Sequence, residues 1–236
     1  MFSPLVTSHW LPEDVRVSGL PAGHLRVAVD HTLPESRSVS LLHLTTGPAI
    51  LRLTPARARE LRLAHGEQAN TEDARARIAS AGLSLTDPDH LFFLPLKERS
   101  ALATEASNAH TRRLTPQDAA AFAAFTESAP SEELDEAYVE LDHWLVFGTF
   151  VGDMLASAAS MYPWAGTKLA DLGVITLPEY RGRGAARATV RAISAAALRD
   201  GHEPQFRCQV HNSASIALAR ASGFTLLGNW EVVDGA

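Results

Sequence analysis

The chain has 236 residues, 46% of them hydrophobic and 20% charged, with a formal net charge of -6; it is long enough for a sizeable core in one large or two smaller domains, and the mild acidity argues against general affinity for nucleic acid or anionic membranes. Its single cysteine, Cys208, excludes an internal disulfide framework and a cysteine-built zinc site, and suits a reducing compartment. No apolar run approaches the roughly 20 residues needed to cross a bilayer, and the N-terminal MFSPLVTSHWLPEDV has neither a basic start nor a long apolar stretch, so a cytoplasmic protein without membrane association is expected.

In chain order, HLRVAV (His24 to Val29), VSLLHL (Val39 to Leu44) and AILRL (Ala49 to Leu53) read as strands, the last two joined by a turn at Thr45-Thr46-Gly47-Pro48. Proline just inside Thr54-Pro55 opens a helix that runs through ARARELRLAHG to about Gly66. A second helix is predicted over Thr71 to Gly82, with Thr71 as N-cap and Gly82 as stop. LFFLPL (Leu91 to Leu96) reads as a buried strand. Residues 97–109 lack an apolar face, so a boundary is placed there: 1–108 as an N-terminal α/β domain of unknown role, 109–236 as a second domain.

In the second half, Thr111 to Leu114 is a short extended lead-in, and Thr115-Pro116-Gln117-Asp118 is a capped start for the helix AAAFAAF. Another helix is predicted from Ser131 through Leu141. Three strands follow: Trp144 to Val151, Met154 to Tyr162 and Lys168 to Leu177, the first two linked by the hairpin signal Gly152-Asp153. A long helix from Gly184 to about Asp200 ends at Gly201. Then come a strand (Gln205 to Val210), a helix (Ser213 to Ser222) closed by Gly223, and a last strand (Phe224 to Val233). The alternation predicts a mixed α/β protein.

Between the third of those strands and the long helix lies Arg181-Gly182-Arg183-Gly184-Ala185-Ala186. Amides at a helix start lack internal partners and carry the positive end of the dipole. Glycines remove Cβ atoms, so successive amides can converge on an anion, and two arginines add charge at the rim. This composition suits a phosphate or pyrophosphate. The plainer alternative is an exposed turn with two glycines. A Walker loop is excluded because no Gly-Lys-Ser/Thr follows, and the dinucleotide fingerprint is broken by Arg187 at its third glycine.

The stretch Val174 to Ala186 resembles the central motif of the GNAT superfamily of acyl-CoA-dependent N-acetyltransferases, with Arg181, Gly184 and Ala186 on its fixed positions. A second block, Asn212-Ser213-Ala214-Ser215 followed by Gly223-Phe224, is similar to the family's Asn-x-x-Ser/Ala helix ending in Gly-Phe. The resemblance covers roughly Ala109 to Val233. It implies a central mixed, mostly antiparallel sheet flanked by helices, and it does not extend to the smaller α/β N-terminal domain read from residues 1–108. It implies acetyl-CoA (coenzyme A) as cofactor, with Val174, Ile175 and Thr176 on the pantetheine arm. Arg181, Gly182, Arg183, Gly184, Ala185 and Ala186 would lie on the pyrophosphate, and Asn212 near the arm. Asn212 also reads as an N-cap of the last helix.

The resemblance implies direct transfer of an acetyl group to an amine, with a base to take the proton and an acid to protonate the leaving thiolate. Many members carry a tyrosine seven residues after the motif asparagine as that acid; this chain has Ala219 there. Ser215 or a water is the substitute, and Asp171 is the candidate base, with an ion pair to a neighbouring arginine as its alternative role. Glu140 and Asp142 lie in the region that shapes the acceptor pocket in this family, or form a solvated helix end. His143 and His211 are proton shuttles or structural groups. No His-Glu-x-x-His spacing or tight His/Asp/Glu cluster is found, and no metal is expected. Cys208 reads as packing, and Trp144, Tyr162 and Trp164 as core or acceptor pocket.

The reading is an acetyl-CoA-dependent N-acetyltransferase acting on a small-molecule or peptide amine, with no nucleic-acid or membrane partner and with a homodimer left open. The alternative is a non-catalytic acyl-CoA-binding or regulatory module that has lost its acid. An RNA-binding use of the Arg-Gly segment is disfavoured by the negative charge and the lack of interleaved aromatics.

Overall fold

The computed structural model describes residues 1–106 and 108–233. Its elements are α1 (Pro4–Trp10), β1 (His24–Val29), β2 (Val39–Leu44), β3 (Ala49–Leu53), α2 (Pro55–Leu61), β4 (Gln68–Asn70), α3 (Thr71–Ser80), β5 (Asp89–Phe93) and α4 (Leu96–Ala103), then β6 (Thr111–Arg113), α5 (Ala119–Ser128), α6 (Ser131–Ala137), β7 (Leu145–Val151), β8 (Met154–Pro163), β9 (Leu169–Thr176), α7 (Ala185–Arg199), β10 (Glu203–Gln209), α8 (Ser213–Ala221) and β11 (Thr225–Val232). The chain forms two compact units.

One unit comprises Val6–Phe92, Cys208–Asn212 and the chain from Leu226 onward. Its strands run in the order β4-β1-β3-β2-β11-β5, with β1 and β3 parallel and β2 antiparallel to both β3 and β11. Helices α2 and α3 close its core over Leu25, Val27, Leu41, Leu51 and Leu53. Three local expectations are corrected here. Helix α2 stops at Leu61, because Arg62 turns left-handed at φ 54°. The N-cap of α3 is Asn70, whose Oδ1 accepts from the Glu72 amide at 2.8 Å; Thr71 is buried in the first turn instead. The predicted strand through Leu96 stops at Phe93, and Leu96 opens α4, which replaces part of the expected linker and buries Leu102. Helix α1 and strand β4, seven and three residues long, were not visible in the sequence pattern.

His9, at the end of α1, is held down to a pKa of about 4, first by burial and then by Arg52 and Arg37. The neutral ring is therefore the folded form, and the unfolded chain binds a proton that the folded one does not between pH 6.5 and 4. Stability is expected to fall across that window as pH drops, by on the order of 2 kcal/mol from this group. Denaturant midpoints of the wild type and His9→Asn between pH 7 and 4 check this: parallel curves would remove His9 as the cause.

The other unit comprises Met1–Leu5, Phe93–Arg207 and Ser213–Thr225. Its strands run β10-β9-β8-β7-β6, antiparallel from β6 to β9 and parallel between β9 and β10. This is the mixed, mostly antiparallel sheet flanked by helices that the sequence predicts. Helix α7 forms because an alanine-rich run places Val190, Ile193 and Ala197 on one buried stripe; each Val or Ile so buried contributes about 1.5–3 kcal/mol. It packs on β7 and β8, where Thr149 and Thr189 bond hydroxyl to hydroxyl at 2.6 Å. Helices α5 and α6 enclose a second core of Leu114, Phe125, Val146, Leu155, Ala158 and Ile175.

Helix α6 ends at Ala137, four residues before the predicted stop, because Tyr138 turns left-handed at φ 47°. It approaches β9 so closely that a Cβ on Gly173 would lie 1.8 Å from the Ala137 carbonyl oxygen. Backbone cannot yield as a flexible side chain does. Gly173→Ala is expected to destabilise the fold by about 1–3 kcal/mol through overpacking, read as a lower urea midpoint; an unchanged midpoint would mean that α6 is loosely held.

Candidate active site

Strand β9 pairs with β8 along its whole length, from Pro163↔Ala170 to Ser157↔Thr176. On its other edge it pairs with β10 only from Leu169↔Glu203 to Leu172↔Phe206. Beyond Leu172 no strand among the described residues pairs with that edge, which is open. Leu177 donates its N–H to the Ala156 carbonyl at 3.0 Å, on the β8 side. Since backbone groups alternate between the two edges of a strand, those of Val174 and Thr176 face the open edge. Ile175 turns its backbone to β8 and its side chain into the core under α5 and α6.

The open edge leads directly into the glycine turn. Gly182 and Gly184 take φ 71° and 84°, a region L-residues rarely adopt, and a Cβ on either would meet nothing within 4 Å. The turn is exposed from Arg181 to Gly184, and α7 starts at Ala185 without a side-chain cap. Its first amides, at Ala185 and Ala186, therefore have no intrahelical acceptor. An exposed, uncapped run of amides at the N-terminus of a 15-residue helix suits a diphosphate. The two arginines of the turn differ. Arg181 is tethered: Nε donates to the Thr176 carbonyl at 3.0 Å and Nη2 to the Glu133 carboxylate of α6 at 2.6 Å. Arg183 is exposed and lies 5.9 Å from the Tyr180 ring centre.

Just before the open edge begins, where β9 still pairs with β10, stands Asp171, 6% exposed. It accepts three hydrogen bonds: from Gln205 Nε2 at 2.9 Å, from Arg207 Nη2 at 2.9 Å and from the Tyr162 hydroxyl at 3.2 Å. The ion pair weighed from sequence is present, with Arg207. Cross-strand register puts Tyr162, Asp171 and Gln205 in one row over β8, β9 and β10. Burial, reinforced by the Asp171 charge, pushes the Tyr162 phenol up to about 12, so it stays protonated. Gln205 and Arg207 escaped the sequence reading; their i, i+2 spacing on β10 puts them on the face that Asp171 occupies, and strand alternation carries that signal.

Tyr162 also packs against His143 and Tyr138, with ring centres 5.1 and 5.7 Å away. His143 Nδ1 bonds Ser160 Oγ at 2.8 Å. Although no tight His/Asp/Glu cluster was expected, the turn after α6 brings ligand atoms of Glu140, Asp142 and His143 within 4.8 Å of one another. Ser215 lies half-buried in the first turn of α8, and Ala219 is fully buried in the same helix. Asn212 lies in the turn before α8, its amide bonded to the Gln209 carbonyl at 3.0 Å, and His211 is exposed. Burial, then the Asp89 charge, pushes the Cys208 thiol up to about 12, which makes it a poor nucleophile. Trp164 is core, and Trp144 packs at a tilt against His202, with ring centres 4.3 Å apart.

Residues 117–224 match the family described as Acetyltransferase (GNAT) family, the family that the two motifs resemble. No curated protein matches the sequence. Among solved structures, the chain is similar to a GNAT-family protein from Novosphingobium aromaticivorans, at 19% identity over 70% of this chain and 81% of that one, with a TM-score of 0.48. It is also similar to an acetyltransferase from the GNAT family of Colwellia psychrerythraea, at 18% identity over 64% of this chain but only 57% of that one, TM-score 0.48. A third likeness is to the ribosomal-protein-S18-alanine N-acetyltransferase of Escherichia coli, at 16% identity over 52% and 90%, TM-score 0.39. At such identities these likenesses say nothing of substrate or partner. No helix among the described residues is long and apolar enough to cross a membrane.

Proposed function

We infer that the domain over residues 109–236 transfers an acetyl group from acetyl-CoA to a primary amine, with residues 1–108 as an N-terminal domain of unknown role, in a cytoplasmic setting. The observation that carries this reading is the half-open edge of β9 running straight into an uncapped, glycine-built helix start. The turn from Arg181 to Ala186 would hold the diphosphate, and the backbone groups of Val174 and Thr176 the arm; Asn212 is the further proposed contact. When bound, the cofactor supplies an activated acyl thioester.

The acceptor amine must lose a proton to attack. Asp171 is the proposed destination. Its Oδ2 already accepts from Arg207 and Tyr162, and the Tyr162 hydroxyl supplies a relay: the amine N–H gives its proton to Tyr162 Oη as Tyr162 passes its own to Asp171 Oδ2. Arg207 and Gln205 hold the carboxylate in place during the transfer. Ser215 Oγ is the proposed donor to the departing sulfur. The second reading, a cofactor-binding module without turnover, is favoured by Ala219, buried where the usual acid would stand.

Calorimetric titration with acetyl-CoA tests the first half. One-site binding supports the cofactor assignment, and thiol release on adding amines then separates enzyme from binder. A folded sample that binds neither acetyl-CoA nor coenzyme A would sink both readings.

A further inference from the structure

Resting on the acetyltransferase reading, we propose that a set of hydroxyls, Thr111, Thr149 and Thr189 in one chain and Ser157 in another, positions and strengthens the two backbone donors on which that reading places the cofactor: the Ala186 N–H for the diphosphate and the Thr176 N–H for the arm. Thr111, Thr149, Ser157 and Thr176 are successive cross-strand partners over β6, β7, β8 and β9, so their side chains share one face of the sheet. Thr149 and Ser157 are buried, as is Thr189, which α7 contributes.

Two chains of hydrogen bonds start from this row, and each ends on a backbone carbonyl. In the first, Thr111 and Thr149 bond hydroxyl to hydroxyl at 2.8 Å, Thr149 and Thr189 do so at 2.6 Å, and Thr189 donates to the Ala185 carbonyl at 3.0 Å. A carbonyl only accepts and each hydroxyl has one proton, so this chain runs in one sense, from Thr111 towards Ala185. In the second, the Thr176 hydroxyl donates to Ser157 Oγ at 2.9 Å, and Ser157 donates to the Ile175 carbonyl at 2.9 Å. The other half of each receiving peptide is a proposed cofactor donor. The Ala185 carbonyl shares its peptide plane with the Ala186 N–H, in the uncapped first turn of α7. The Ile175 carbonyl lies on the β8 side, so the N–H of the same peptide, that of Thr176, points to the open edge. A hydrogen bond accepted by a peptide oxygen polarises the peptide and makes its N–H a better donor, and a chain of such bonds adds to the effect. Valines have nearly the shape of threonines, and replacing both partners of a buried bond by apolar groups costs a fold little. The hydroxyls therefore serve the peptides on which they end.

The test is calorimetric titration of the full chain with coenzyme A, paired with the amide proton shifts of Ala186 and Thr176 in the free protein. Thr189→Val should weaken binding about fivefold, the net worth of one hydrogen bond, and move the Ala186 amide upfield. Thr149→Val and Thr111→Val should do the same by progressively less, because each lies one bond further from the carbonyl. Thr111 is half-buried, so its variant disturbs packing least. Thr149→Ser keeps the hydroxyl and should behave as wild type. Ser157→Ala should move the Thr176 amide and leave that of Ala186 in place. Unchanged affinity in Thr189→Val, or an Ala186 amide that Thr149→Val fails to move, would overturn the proposal. Equal losses in Thr149→Val and Thr149→Ser would also overturn it, since they would make the position one of packing. A wild type that binds no coenzyme A would sink the acetyltransferase reading. Titration with inorganic pyrophosphate, followed at the Ala186 amide, then decides alone: a shift that Thr149→Val diminishes supports the hydroxyl chain, and no shift removes it.

Discussion

Gly184→Asp is expected to weaken acetyl-CoA binding at least about 100-fold, roughly 2.7 kcal/mol, while leaving the protein folded. Three effects act together. The site has φ 84°, which disfavours a side chain. A Cβ there projects into the open space in front of the turn, since no protein atom lies within 4 Å of it. The carboxylate then sets a negative charge where the helix amides would meet a diphosphate. Gly184→Ala keeps the first two effects and drops the third, so it should lose less. Calorimetry on both variants, with far-UV circular dichroism as a control for folding, checks the result. Wild-type affinity in a folded Gly184→Asp protein would remove the turn from the cofactor site.

Asp171→Asn is expected to lower kcat about 100-fold while shifting acetyl-CoA affinity less than threefold. The amide cannot take the relayed proton, and it loses the charge that faces Arg207. Some destabilisation accompanies this, about 1–3 kcal/mol, below the range for a fully buried pair because the Arg207 side chain is 31% exposed. Tyr162→Phe discriminates the roles. A relay through the phenol predicts a comparable loss of kcat and an altered pH profile; a purely structural Asp171 predicts that Tyr162→Phe costs little turnover. A kcat of Asp171→Asn near the wild-type value would make the carboxylate a strut.

The elements most legible in the sequence were those with strong local causes. Strands β1, β2 and β3 fall where alternating apolar runs put them, with β1 at the predicted His24–Val29. The capping box at Thr115 and Asp118 forms as its spacing requires. Boundaries failed where one residue's backbone decides. Arg62 and Tyr138 end their helices by turning left-handed without being glycine or asparagine, and composition carries no mark of that. Helix α4 was missed because a single buried Leu102 gives it no periodic face.

What the sequence by itself determined is the turn from Arg181 to Ala186: two glycines ahead of an alanine-rich helix permit a left-handed approach and leave the helix start without a capping side chain, because those are properties of adjacent residues. What only the tertiary structure decided is where β9 and β10 part, that Asp171 is shared by Tyr162, Gln205 and Arg207, and that α6 rests on Gly173. Gln205 stands 34 residues from Asp171 in sequence. Such contacts depend on strand register and on which faces meet, and a pairing shifted by one residue would turn those side chains to the opposite face.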